Sequence, residues 1–280
     1  STDVLTRILA ERLRDRIGGT WVIENRPGAG GNIGTEAGLR SPADGYTLLV
    51  ASATNAINAT LYADLKFNFI RDSASVATIN RIPIVLEVHP LFPSRTVPEL
   101  IVYAKSNPGK ITLGTGTKGV GPNMAAELFK MMAGVDMLHV PYRGARAAMT
   151  AVFTGEAHVL FDPIPSSIEP IKAGRLKPLA VTSLTRADAL PELPTVNDTV
   201  PGYEANGWQG IGVPKATPVE IIGKLNREIN AALADPAMRE KILNLGAAVY
   251  PASPEEAGKL ILSDTEKWAK VVKFAGLKAE

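Results

Sequence analysis

The 280 residues predict an α/β fold, on three observations. Short apolar runs of strand length alternate with amphipathic helical stretches along the whole chain. Glycine-rich turns separate strand from helix once in each half. The composition, 45% hydrophobic and 21% charged, is that of a globular chain long enough for one large or two medium domains.

The elements follow in order. A helix is expected over 3–16, where Ser1, Thr2 or Asp3 can cap it and Val4, Leu5, Ile8, Leu9 and Leu13 recur at helical spacing. Strand "TWVIEN" leads into the glycine loop "RPGAGGNIG" and a helix ending near Arg40. "PADGY" turns into strand "TLLVAS". Strand "IPIVLEV", helix 97–106, strand "ITLGT", a second glycine loop and helix 123–133 come next. "MLHVPY", helix 145–154, strand "HVLF", helix 166–173 and strand "LKPLAVTS" complete an alternation that reads as a parallel, doubly wound architecture. Residues 184–209, proline-rich and weakly periodic, read as a long surface connection between two lobes. "TVPE", "TPVE" and "SPEE", at 96, 217 and 253, are capping-box signals at three helix starts. The last two helices carry apolar stripes, Ile221, Ile222, Leu225, Ile229 and Leu233, then Ala257, Leu260, Ile261 and Trp268, that belong to a core.

Several function classes lose support. A net charge of +2 with scattered basic residues argues against a nucleic-acid binder. No apolar run approaches the roughly 18–20 residues that span a bilayer. Without cysteine there are no thiolate metal sites, disulfides or thiol nucleophiles. His89, His139 and His158 are dispersed at no ligand spacing, so no metal is expected and structural roles are favoured. There is no G-x-S-x-G elbow and no visible acid/base pair.

The glycine loops need separate tests. Gly114, Gly116 and Gly119 form a literal G-x-G-x-x-G. The acidic partner that a dinucleotide requires is misplaced, because Asp136 precedes "MLHVPY" instead of ending it. A P-loop fails on Val120, where lysine is needed. Gly28, Gly30 and Gly34 are spaced one residue too long, and the following strand ends in Ala51 and Ser52 with no carboxylate. Two readings remain for these loops: tight turns with left-handed backbone, or helix N-termini that hold a small anion. Asp162, ending "HVLF" before Pro163, is the most suggestive carboxylate, serving either a ligand at the strand ends or a helix cap.

Five ordered blocks carry a resemblance over essentially the whole chain: "ENRPGAGGNIG", "DGYTLLVAS", "YAKSNPGKITLGTGTKGVGPNMAAELF", "VPYRGARAAMTAVFTGEAHVLFD" and "LNREINAALADPAMREKILNLG". They resemble the extracytoplasmic solute receptors of tripartite tricarboxylate transporters, the Bug-type receptors. The resemblance implies a periplasmic binding protein-like fold, two doubly wound α/β lobes joined by a hinge. It implies capture of a small organic carboxylate and delivery to the membrane permease subunits, with no catalysis, no cofactor and no nucleic acid, by a monomer in the periplasm whose signal peptide has been removed. Lobe 1 is expected to comprise 1–88 and 212–280, and lobe 2 residues 89–211. Family members begin with a strand and a "P-G-G" loop before the first helix, so the resemblance also implies that this N-terminal strand is missing here.

Carried over by position, the ligand wall comprises Thr2 and Asp3, then Ser52, Thr54 and Asn55, in lobe 1. Lobe 2 contributes Thr115, Gly116, Thr117 and Gly121, with Tyr142, Arg143, Asp162 and Pro163 along the rim. Gly28, Gly30 and Gly31 are second-rank candidates. "GTGTKGVG" stands where the family is often serine-rich, and Arg143 where it often has lysine, so ligand choice stays open. The competing reading is a dinucleotide-dependent small-molecule enzyme using the 114–119 loop.

Overall fold

The computed structural model describes residues 2–116, 119 and 121–279. Helix α1 (Thr2–Ile17), a 3₁₀ turn (Ala29–Gly31) and α2 (Asn32–Leu39) lead to strand β1 (Leu49–Ser52), α3 (Ala53–Leu61), the single turn α4 (Phe69–Asp72) and β2 (Ser73–Ile82). Then come β3 (Ile84–Val88), α5 (Val97–Ser106), β4 (Thr112–Thr115), α6 (Gly121–Ala133) and β5 (Leu138–Pro141). They are followed by α7 (Ala145–Phe153), β6 (Val159–Pro163), α8 (Ile164–Lys172) and β7 (Lys177–Val181). A second 3₁₀ turn (Val196–Asp198) precedes β8 (Gly207–Pro214), α9 (Val219–Ala234), α10 (Pro236–Asn244), β9 (Ala248–Val249) and α11 (Pro254–Phe274). Among the described residues, no helix is long and apolar enough to cross a membrane.

The chain divides into two compact units. Unit 1 comprises Ser1–Arg81, Trp208–Lys270 and Lys278–Glu280, and unit 2 comprises Ile82–Gly207 and Val271–Leu277. Unit 1 holds a sheet in the order β1-β8-β2-β9, with β1 antiparallel to β8 and β2 antiparallel to β9. Its core gathers Ala51, Ala53, Phe69, Trp208 and Ile261, and the buried indole of Trp208 donates to Asp264 at 2.6 Å. Ile222, Leu225, Ile229 and Leu233 of α9 are buried as their spacing predicts, and so is Trp268 of α11.

Unit 2 holds the order β5-β4-β6-β3-β7. Strand β4 runs parallel to β5 and β6, whereas β3 is antiparallel to both β6 and β7. The unit 2 sheet is therefore mixed, and the pairs given for unit 1 are antiparallel, so neither sheet is uniformly parallel. The cause is local: β6 and β7 run the same way, joined by the crossover helix α8, but β3 inserts between them straight from β2 with only Pro83 intervening. Without a crossover helix a strand is free to run against its neighbours.

Four local expectations need correction. Residues 20–25, "TWVIEN", form no strand, and Val22 is 82% exposed. Nothing among the described residues pairs with this stretch, and Gly18 and Gly19, at φ 75° and 82°, turn the chain just before it. Val4 is 42% exposed, so the buried stripe of α1 is Leu5, Leu9, Ala10 and Leu13. Residues 184–207 are not a surface connection but part of unit 2, where Ala187, Leu190 and Leu193 pack with Val85, Ile164 and Val181. Finally, "TPVE" makes no capping box, because Pro218 takes the cap position of α9 and the Thr217 hydroxyl is buried without a partner. "SPEE" does make one: Ser253 Oγ accepts from the Glu256 N–H at 3.2 Å, and the Glu256 carboxylate accepts from the Ser253 N–H at 2.8 Å.

Candidate functional site

In unit 2, strand β4 ends at Thr115, followed by Gly116, beside the end of β6. Together they open a hollow of about 90 Å³ whose lining includes Gly114, Thr115, Gly116, Pro122, Asn123 and Asp162. Gly116 keeps this space open: a Cβ there would stand 3.0 Å from the Ala145 nitrogen and 3.1 Å from the Gly144 carbonyl carbon, so the first turn of α7 would have to give by a few tenths of an ångström. This closeness lets the first turn of α7 approach the strand end. The first turn of α6 enters from the other side through Pro122 and Asn123. Asn123 Oδ1 also accepts from the Gly119 N–H at 3.0 Å, fastening the loop. Two helix N-termini thus converge on one small hollow, a favourable place for a negative charge.

Asp162 sits within the hollow, 1% exposed. Burial raises its carboxyl to about 6, opposed by the hydroxyls of Ser166 and Ser167. Diagonal to it on the same sheet face lies Glu87 of β3, fully buried, with Oε1 accepting from Ser167 Oγ at 2.8 Å and Oε2 without a hydrogen-bond partner. Burial pushes Glu87 well above its ordinary range, and the Asp162 charge adds to that. Sequence reasoning missed Glu87. Its one signal was an acid inside the otherwise apolar run "IVLEV".

The remaining residues of this group are placed differently. Gly121 begins α6. The ring of Tyr142 packs against the cluster of Ala148, Met149, Val152 and Leu160, and its N–H donates to the Thr115 carbonyl at 2.8 Å. Arg143 is exposed and Pro163 closes β6. Thr117 lies outside the described residues.

Unit 1 has a broad cleft of about 480 Å³ lined by Thr2, Asp3, residues 22–26, one face of α2 and residues 46–50. Asp3 accepts from Arg7 Nε at 2.9 Å and from Asn25 Nδ2 at 2.6 Å, so its carboxyl is lowered, mainly by Arg7 and then by Asn25. Thr2 Oγ1 accepts from Gln209 Nε2 at 2.6 Å, and Gln209 is the register partner of Ser52 across β1 and β8. Thr2, Gln209 and Ser52 are thereby brought to the same end of β1. Gln209 was not foreseen, because it closes the 184–209 stretch that reads as a connection. Asn55 Oδ1 caps the Ser52 N–H at 2.9 Å, and its Nδ2 donates to Thr35 Oγ1. Thr54 follows in the first turn of α3.

Among the second-rank glycines only Gly31 lines this cleft. Gly28, Gly30 and Gly31 have φ of 118°, 62° and 90°, and a Cβ on Gly28 would meet Ile33 at 2.6 Å. Asn58 Nδ2 donates at 3.0 Å to both the Gly30 carbonyl and Asn32 Oδ1, pinning the loop to α3.

The histidines are occupied structurally. His139 Nε2 stands 2.6 Å from Glu127 of α6. Burial pushes the Glu127 carboxyl up, but His139 and Lys130 outweigh it and hold it below its usual range. His158 Nδ1 accepts from the Thr112 N–H at 3.0 Å, and burial with the nearby His89 lowers its proton affinity. His89 Nδ1 accepts from the Leu91 N–H at 3.2 Å. The hollow of about 220 Å³ beside this pair thus presents two fold-committed imidazoles.

Comparison with known proteins places this architecture. The tripartite tricarboxylate transporter family receptor pattern matches residues 5–277. Protein BugT of Bordetella pertussis is 33% identical over 281 residues, covering 99% of this chain and 86% of that one. An R. palustris protein solved with adipate is 34% identical, with a TM-score of 0.80 over 99% of this chain and 94% of its own. MatC from Rhodopseudomonas palustris, solved with bound malate, is 25% identical, with a TM-score of 0.76 over 97% and 94% of the two chains. The chain belongs to the receptors of the tripartite tricarboxylate transporter family.

Proposed function

We propose that this receptor captures a small organic carboxylate in the periplasm and delivers it to the membrane permease subunits of a tripartite tricarboxylate-type transporter, as a monomer, without catalysis or cofactor. The observation that carries the reading is the unit 2 hollow, where the N-termini of α6 and α7 converge beside Gly116. Oriented backbone N–H groups there supply charge-assisted hydrogen bonds of roughly 1.5–3 kcal/mol each. No arginine clamp is then required. Thr115, Gly116 and Gly121 form the anion cradle, with Arg143 and Pro163 at its rim. Within unit 1, the residues that the family likeness assigns to ligand are Thr2, Asp3, Ser52, Thr54 and Asn55, with Gln209 orienting the Thr2 hydroxyl. The adipate and malate held by related structures support this class of ligand.

A thermal-shift screen of mono- and dicarboxylates tests the reading, and at least one acid is expected to raise the melting temperature in a saturable way. The dinucleotide reading is disfavoured, because a hollow of about 90 Å³ suits a carboxylate-sized group and not a dinucleotide. NADH fluorescence is accordingly expected to stay unchanged on mixing.

A further inference from the structure

The carboxyls of Asp162 and Glu87 present a question of proton accounting. Two serine hydroxyls face them, and each hydroxyl has one proton to give. Ser166 Oγ lies within reach of Asp162 Oδ2 and at 2.8 Å from the Pro163 carbonyl. Ser167 Oγ lies 2.8 Å from Glu87 Oε1 but 3.5 Å from Asp162 Oδ2. The shorter contact assigns the Ser167 proton to Glu87 Oε1, with the proton that burial keeps on Glu87 placed on Oε2, the oxygen without a hydrogen-bond partner. Ser166 Oγ has one proton for two acceptors, Asp162 Oδ2 and the Pro163 carbonyl; once Asp162 takes up a proton its O–H donates to Ser166 Oγ and the Ser166 proton passes to the Pro163 carbonyl.

The other charged groups on the elements packed against β6 do not replace that proton. Among the described residues, α6 brings Glu127, held by His139 and Lys130. Helix α7 brings the exposed Arg146, and α8 brings Glu169 and Lys172, exposed and 3.2 Å from each other. Strand β4 carries no ionisable side chain, and β3 brings Glu87 alone.

We propose that anion capture in unit 2 is coupled to uptake of one proton at Asp162, and that Glu87 is the positioning residue that permits it by drawing the Ser167 hydroxyl away from Asp162. The inference rests on the carboxylate reading above. An ionised Asp162 in the lining of the hollow repels an incoming carboxylate; a neutral one does not. Without Glu87 the Ser167 hydroxyl turns to Asp162, favours its ionised form and makes the proton harder to acquire.

Two measurements on the full chain test the proposal. In ligand-free protein, carbon-13 NMR of the Asp162 carboxyl should titrate with a midpoint of about 6. Glu87→Gln, which still accepts from Ser167, should leave that midpoint in place, whereas Glu87→Leu should lower it by about one pH unit. An unchanged midpoint in Glu87→Leu would overturn the role of Glu87. Should that variant fail to fold, Ser167→Ala decides: no change supports the assignment of its proton to Glu87, and a rise refutes it. In calorimetry with adipate, affinity should fall about tenfold per pH unit between pH 7 and 8, with proton uptake seen from buffers of different ionisation heat. Asp162→Asn should bind with no pH dependence and no proton uptake. Adipate binding that is flat with pH in the unsubstituted protein overturns the coupling and leaves the carboxylate reading intact. Failure of both adipate and malate to bind at any pH removes both.

Discussion

The two glycine-rich loops use the same residue for different ends. In the loop at 28–34 the glycines answer to backbone conformation, with three of them at positive φ and the loop held by neutral amide hydrogen bonds from Asn58. In the loop that follows β4, Gly116 answers to space: it lets α7 approach to within a Cβ contact and leaves a small hollow backed by a buried carboxyl. The first loop is architecture held by uncharged groups. The second leads to a hollow lined by the buried Asp162, with buried Glu87 diagonal to that carboxyl and buried Glu127 on the helix that follows. Glycine spacing alone cannot separate these cases; the neighbouring side chains do.

That contrast can be broken most sharply at His139. His139→Ala strips the buried Glu127 of its imidazole partner and should cost about 3 kcal/mol by denaturant titration at neutral pH. Next in size is a pH effect that only the second loop should show. Asp162 holds its proton up to about pH 6, against 3.8 ordinarily. Its contribution is therefore complete below pH 4 and lost as pH rises through 6, worth about 2–3 kcal/mol. Melting temperature followed from pH 4 to 7 should fall through that window, and Asp162→Asn should flatten it. Glu127 works in the opposite sense: its lowered carboxyl stabilises the fold above its ordinary 4.5 and loses that contribution as the pH falls.

Glycine substitutions separate the loops directly. Gly28→Ala should cost about 2 kcal/mol, from its positive φ and the clash with Ile33, while ligand affinity stays within about twofold. Gly116→Ala should instead weaken carboxylate binding at least tenfold, because the first turn of α7 must move. Asn58→Ala, which frees the first loop from α3, should cost about 1 kcal/mol. The smallest effect is expected at Thr217→Val: removing a buried, unpartnered hydroxyl should leave stability unchanged or raise it by up to about 1 kcal/mol.

Much of the fold was legible because apolar runs and helical stripes coincide with real strands and helices; the exceptions are instructive. Strand β2, "SASVATINRI", was not foreseen because its buried stretch includes Thr78 and Asn80, which break the apolar signal. Strand β8, "GWQGIGVP", was missed because its glycines read as loop residues. They are there for close approach: a Cβ on Gly210 would stand 2.6 Å from the Ala77 carbonyl oxygen of β2. In the candidate site, family likeness led to Thr115, Gly116 and Asp162, which share one hollow. It did not lead to Glu87, Ser167 or Gln209, whose importance arises from strand register and helix docking across long sequence separations. Those relations leave no local pattern to read.

The central claim, that this chain captures a carboxylate without cofactor, is tested most directly by isothermal calorimetry of the folded protein against adipate and malate at pH 6. The account predicts saturable binding of one acid per chain, weakened at least tenfold by Gly116→Ala and little changed by Gly28→Ala. Absence of binding by both acids, or equal loss of binding in the two glycine variants, would contradict it.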